Sequence, residues 1–125
     1  MPLPSFVLLY VQSPAASARF YAELLERPPV EASPTFALFA LDAGLMLGLW
    51  SRDTVAPPAL AAAPGSTGEL GFPVDSDATV DALHASWSAR GLSVLQPPTR
   101  MDFGYTFVAA DPDGHRLRVF APQGD

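Results

Sequence analysis

The sequence predicts an α+β chain made of two tandem copies of one β-α-β-β-β unit, folded as a curved mixed sheet around a cleft. Three observations lead there. Two apolar, strand-like segments are each followed by a serine-capped amphipathic helix. Landmarks recur: Val74 follows Val11, and Ser76 follows Ser13, at a common offset of about 63 residues. A stretch rich in proline, alanine and glycine at 54–68 separates the copies. Such internal duplication is an architectural signal to be weighed before any motif.

The elements follow in order. Ser5 to Val11 (SFVLLYV) is β-branched and aromatic, and reads as a strand. Ser13-Pro14 is a serine N-cap with proline at the first helical position. Ala16, Phe20 and Leu24 then recur at helical spacing, with Tyr21 and Leu25 widening the stripe, until Pro28-Pro29 stop it. Thr35 to Leu41 and Leu45 to Trp50 flank Asp42-Ala43-Gly44 as a hairpin. The first module spans about 4–53, the linker 54–68 and the second module 69–122.

The second module repeats the plan. Glu69 to Val74 is a strand, and Asp75-Ser76 caps a helix whose apolar face carries Val80, Leu83 and Trp87 and which ends at Gly91. Gln96-Pro97-Pro98 matches the first double proline in role. Tyr105 to Ala110, the turn Asp111-Pro112-Asp113-Gly114 and His115 to Phe120 close the chain as a hairpin. With one helix per unit, one sheet face is covered and the other is expected to line a cleft against the partner unit.

Composition narrows the function classes. The 125 residues are 49% hydrophobic and carry a formal net charge of −6, with no Lys/Arg cluster, so a nucleic-acid partner is not expected. There is no cysteine, which excludes disulfides, thiolate nucleophiles and cysteine metal sites. The run MPLPSFVLLYV lacks a charged n-region and is too short to span a bilayer, so the expectation is a cytoplasmic protein without a membrane partner.

The stretch FYAELL on the first helix (Phe20 to Leu25) and VAADPDGHRLRVF at the closing hairpin (Val108 to Phe120) resemble the vicinal oxygen chelate superfamily. That superfamily holds glyoxalase I, extradiol dioxygenases, fosfomycin-resistance transferases and bleomycin-resistance proteins. The resemblance covers nearly the whole chain and implies the glyoxalase/bleomycin resistance/dioxygenase fold. It says little about activity, since the superfamily hosts many functions. LGLW and MDFG also look like members associated with phenazine resistance.

The metal enzymes of the superfamily place one ligand on each of four strands. Carried over, those positions fall on Phe6, Gly48, Glu69 and Arg118. Only Glu69 has a ligating side chain, because phenyl and glycine offer no lone pair and arginine stays protonated. The resemblance therefore implies no metal and no cofactor here. Glu69 has three readings: an acid facing the ligand, a general base, or the salt-bridge partner of Arg118, of which the last is favoured because an unpaired buried charge is costly.

Glycine inside a strand marks a close approach of something else. Gly48 is expected to leave an open floor, with Trp50 on the same face as an aromatic wall. By the same two-residue period Phe6 shares a face with Leu8 and Tyr10, Gly48 with Met46 and Trp50, and Arg118 with Arg116 and Phe120. The expected ligand-binding set is Phe6, Leu8, Tyr10, Met46, Gly48, Trp50, Glu69, Phe103, Tyr105 and Arg118, with no catalytic residue. Phe103 and Tyr105 either cap the cleft or fill core. Trp50 has the alternative of a rim or dimer contact, whereas Trp87 reads as core, His84 as surface and His115 as structural or exposed.

The function expected is metal-independent sequestration of a small aromatic antibiotic or toxic metabolite by a homodimer. The alternative is a glyoxalase-like lyase, isomerase or dioxygenase with a rebuilt or metal-free site using Glu69 or Tyr10. A third is a structural or regulatory module whose cleft is filled by its own side chains.

Overall fold

The computed structural model describes residues 5–54 and 69–122, so the expected linker falls, Thr54 apart, outside the described residues. The chain divides into two compact units, Met1–Ala63 and Pro64–Asp125. Each has the β-α-β-β-β order.

The first unit contains strand β1 (Phe6–Val11), helix α1 (Pro14–Leu25), and strands β2 (Glu31–Ala32), β3 (Phe36–Ala40) and β4 (Met46–Ser51). Their sheet order is β1-β4-β3-β2, with β1 parallel to β4 and the other pairs antiparallel. The serine cap forms as the sequence requires: the Ala16 N–H donates to Ser13 Oγ at 3.2 Å, and Pro14 begins the helix. Glu26, in the left-handed region at φ 55°, ends it ahead of Pro28-Pro29. The turn between β3 and β4 places Ala43 and Gly44 at φ 60° and 80°. Helix α1 lies on β3 and β4. Val11, Ala37, Phe39, Leu47 and Leu49 are buried with Ala18 and Tyr21 of the helix, and the period of two puts the strand residues on one face. Each large side chain among them contributes roughly 1.5–3 kcal/mol by leaving water.

The second unit contains β5 (Glu69–Pro73), α2 (Asp77–Ala89), β6 (Ser93–Met101), β7 (Gly104–Ala110) and β8 (Arg116–Pro122), in the order β5-β8-β7-β6. Ser76 Oγ accepts from the Thr79 N–H at 3.1 Å, and Gly91 takes φ 85° just past the helix, as its position predicts. Trp87 is core. Its ring meets Phe72 and Phe107 edge to face, at 5.7 and 5.3 Å between centroids. His84 is half-buried on the same helix, its ring 5.4 Å from Phe107.

The DPDG turn is fastened by its first residue. Gly114 N–H donates to the Asp111 carbonyl at 3.0 Å. The buried Asp111 carboxylate accepts from the N–H groups of Asp113 and His115 at 2.9 and 2.8 Å and meets His115 Nδ1 at 2.9 Å. His115 is thus structural in this turn.

One expectation is corrected. Gln96-Pro97-Pro98 does not end an element: β6 runs through it for nine residues. Proline has no N–H for a ladder, but β6 is an edge strand, and its pairing with β7 shifts register between Val94 and Gln96 and again between Gln96 and Thr99. Such irregularities are where a strand tolerates proline.

Trp87→Ala should cost about 3–5 kcal/mol of stability, as large core truncations do. Urea unfolding followed by far-UV circular dichroism measures it; a loss under about 1 kcal/mol would mean that the Phe72-Trp87-Phe107 cluster is not a load-carrying core.

Candidate functional site

In the first unit, Phe6, Leu8 and Tyr10 alternate with the buried residues of β1 and are 54%, 44% and 44% exposed. Across the parallel pairing they stand opposite Met46, Gly48 and Trp50. Across the hairpin, Phe36 stands opposite Trp50. The face turned away from the core is therefore apolar from strand to strand. Phe6, Leu8, Phe36 and Trp50 line an open concavity of about 560 Å³ on it. The rings of Phe36 and Trp50 lie at right angles, 88° between planes and 6.3 Å between centroids.

The expectation of an open floor at Gly48 is corrected. A Cβ there would lie 2.5 Å from Leu8 Cδ2 and 3.1 and 3.3 Å from Cζ and Cε1 of Phe36. The chain's own side chains fill the volume that glycine leaves. The missing side chain lets Leu8 and Phe36 lie down across β4.

Phe36 was missed in the sequence reading, although the hairpin that the sequence predicts contains the signal. Once Ala40 pairs with Met46 across the Asp42–Gly44 turn, Phe36 must pair with Trp50. Met46 is half-buried beside the slot, opposite Phe6, and is not part of its lining.

In the second unit the corresponding face carries an ion pair among apolar side chains. Arg118 Nε donates to Glu69 Oε2 at 2.8 Å, and Nη1 reaches Thr106 Oγ1 at 3.4 Å. Thr106 is buried, with its hydroxyl given to the Val119 carbonyl at 2.8 Å. The Arg118 guanidinium also sits 5.7 Å from the centre of the Phe103 ring, which meets Phe120 edge to face at 6.2 Å. Of the roles open to Glu69, the structure forms the ion pair.

Phe103 and Tyr105 part company. Phe103, at the tip of the β6–β7 hairpin, turns to Arg118 and Phe120, whereas Tyr105 turns to helix α2 and donates its hydroxyl to Asp81 Oδ1 at 2.8 Å. The Gly104 backbone between them, at φ 146°, lies in a region that glycine enters without strain. The hydrogen bond to the Asp81 carboxylate pushes the Tyr105 phenol above its usual range, with desolvation and the charges of Asp81 and Asp77 adding to it and Arg100 opposing. Arg100 pairs with Asp77 beside the Tyr105 ring.

The four positions at which the resemblance implies metal ligands do not fit a chelated divalent cation. Phe6 and Gly48 supply no donor, and Glu69 is engaged by Arg118. Among the described residues no three His, Asp or Glu side chains gather at one point. No helix among them is long and apolar enough to cross a membrane.

The Glu69–Arg118 pair is partly exposed, 42% and 19% by side chain, so its net worth is small. A double-mutant cycle with Glu69→Gln and Arg118→Gln, read by urea unfolding, should give a coupling of at most about 1 kcal/mol. A coupling near 3 kcal/mol would show instead a desolvated pair that braces the sheet.

Comparison with known proteins agrees with this architecture. The sequence model of the Glyoxalase/Bleomycin resistance protein/Dioxygenase superfamily matches residues 4–119. The phenazine antibiotic resistance protein EhpR of Enterobacter agglomerans is 29% identical over 119 residues, covering 93% of this chain and 89% of that protein. The solution NMR structure of protein ATC0852 from Agrobacterium tumefaciens is 56% identical with a TM-score of 0.89, covering 99% of this chain and 100% of that one. A glyoxalase-related enzyme from Fulvimarina pelagi is 26% identical with a TM-score of 0.81, covering 97% of this chain and 88% of that one. With a match over nearly its whole length and two β-α-β-β-β units in place, the chain belongs to the glyoxalase/bleomycin resistance protein/dioxygenase superfamily.

Proposed function

We propose that the protein binds a planar aromatic small molecule, of the class that phenazine antibiotics represent, and sequesters it without chemical change and without a metal. The observation that carries this reading is the slot on the first unit, lined by Phe6, Leu8, Phe36 and Trp50 with no polar side chain among them. Its volume of about 560 Å³ lies in the range of sites for small organic ligands. Aromatic rings recognise a flat π-system by stacking or edge-to-face contact. The similarity to a phenazine antibiotic resistance protein supports the same class of ligand.

The chemistry for turnover is poorly supplied. A general base must reach the proton that it removes, and the Glu69 carboxylate is held by Arg118 at 2.8 Å. The slot offers apolar area and ring faces, which favour binding substrate and product alike and give no preference for a transition state.

Titration of phenazine into the protein should change the Trp50 emission saturably, and the compound recovered afterwards should have its original absorbance spectrum and mass. Trp50→Ala should weaken binding about tenfold with little change in urea midpoint, since an aromatic contact contributes roughly 0.5–1.5 kcal/mol beyond its buried area. A chemically altered product would replace this reading with an enzymatic one. Undiminished affinity in Trp50→Ala would remove the slot from the binding site.

A further inference from the structure

We infer that Phe36 is a specificity-determining residue, that it makes the slot a filter for flat molecules, and that Gly48 is the positioning residue which holds its ring in place. The inference rests on the binding role proposed above and goes beyond it to the shape of ligand accepted. Three observations carry it. Phe36 lines the concavity on the first unit. Its ring stands at 88° to that of Trp50, its partner across the β3–β4 ladder. The tip of the same ring reaches over β4 to the place where any other residue at position 48 would carry a Cβ, 3.1 Å away.

Two perpendicular rings make a corner. A flat polycyclic molecule stacked on one ring presents its edge to the face of the other, and both contacts match the quadrupoles, negative on ring faces and positive on edges. A molecule folded across its central ring satisfies one ring only by driving its second half into or away from the other. The corner keeps its angle only while Phe36 lies low across the sheet. The seat for it exists because position 48 has no side chain, and Leu8, whose Cδ2 would be 2.5 Å from a Cβ there, closes the seat from the other side.

Phenazine and thianthrene are suitable probes. Both are three fused rings of similar area, but phenazine is flat and thianthrene is folded along its sulfur–sulfur axis. The wild-type protein should prefer phenazine by at least about tenfold in Kd, and Phe36→Ala should lower that ratio to within about threefold, the size expected when one aromatic contact is lost. Phe36→Leu, which keeps volume but loses the flat face, should do the same with a smaller effect on folding. Gly48→Ala should weaken phenazine binding about tenfold by displacing the Phe36 ring and Leu8, and adding Phe36→Ala to it should cost less than the two single losses together, because both changes act on the Phe36 contact.

A ratio of affinities that Phe36→Ala and Phe36→Leu leave unchanged overturns the filter while phenazine binding itself stands. Fully additive losses in the Gly48→Ala/Phe36→Ala double variant overturn the positioning role of Gly48. Absence of saturable phenazine binding to the wild-type protein overturns the binding role, and the filter with it.

Discussion

The apolar outer face of the first unit is organised around Gly48, where a Cβ would press on Leu8 and Phe36. Leu8 leans over from β1 and Phe36 from β3, and both rest on the bare backbone of β4. With those two side chains lying down, Phe36 can meet Trp50 at a right angle and leave a concavity above them. A β-branched or long residue at this point would favour the strand locally, yet it would raise both neighbours off the sheet. The strand gives up a side chain that could have packed, and the unit gains a shaped apolar surface.

The second unit uses the same ladder with the roles exchanged. In the first, Leu8 of β1 pairs with Gly48 of β4; in the second, Gly71 of β5 pairs with Arg118 of β8. A glycine thus faces a large side chain in both, but on opposite strands of the pair. Phe36 opposite Trp50 in the first becomes Thr106 opposite Phe120 in the second. One face is consequently aromatic and apolar, and the other is organised by a guanidinium shared among Glu69, Thr106 and Phe103. The duplicated framework preserves backbone pairing and leaves the side chains on this face free to diverge. The four positions at which the resemblance implies metal ligands hold a phenyl ring, a glycine, a carboxylate and the arginine that pairs with it.

Much of the fold was legible because it rests on local signals. Ser13-Pro14 and Ser76 set the helix starts through hydrogen bonds to residues three positions on, and Gly91 marks a helix end by its backbone alone. The Glu69–Arg118 pair followed from the family pattern and the cost of an isolated charge. The strand through Pro97 and Pro98 was hidden, because an edge strand with two register shifts tolerates residues that an interior strand rejects. The seat at Gly48 was hidden for another reason. The period of two says which residues share a face, but not which of them lies across its neighbour, and that depends on rotamers set by packing. Phe36 and the separate paths of Phe103 and Tyr105 belong to the same class of fact, since the direction of a side chain beside Gly104 is fixed by a φ of 146° that no sequence pattern reports.

The central claim is that a flat ring enters the slot on the first unit. It is tested most directly by methyl-detected NMR of protein labelled at leucine and methionine methyl groups while phenazine is added. An aromatic ring placed in the slot imposes ring-current shifts on the methyl groups around it, so the account predicts the largest saturable changes at Leu8, with smaller ones at Met46, and little change at Leu117 in the core of the second unit. Saturable binding that leaves the Leu8 methyl resonances in place and moves only those of residues 69–122 would contradict it.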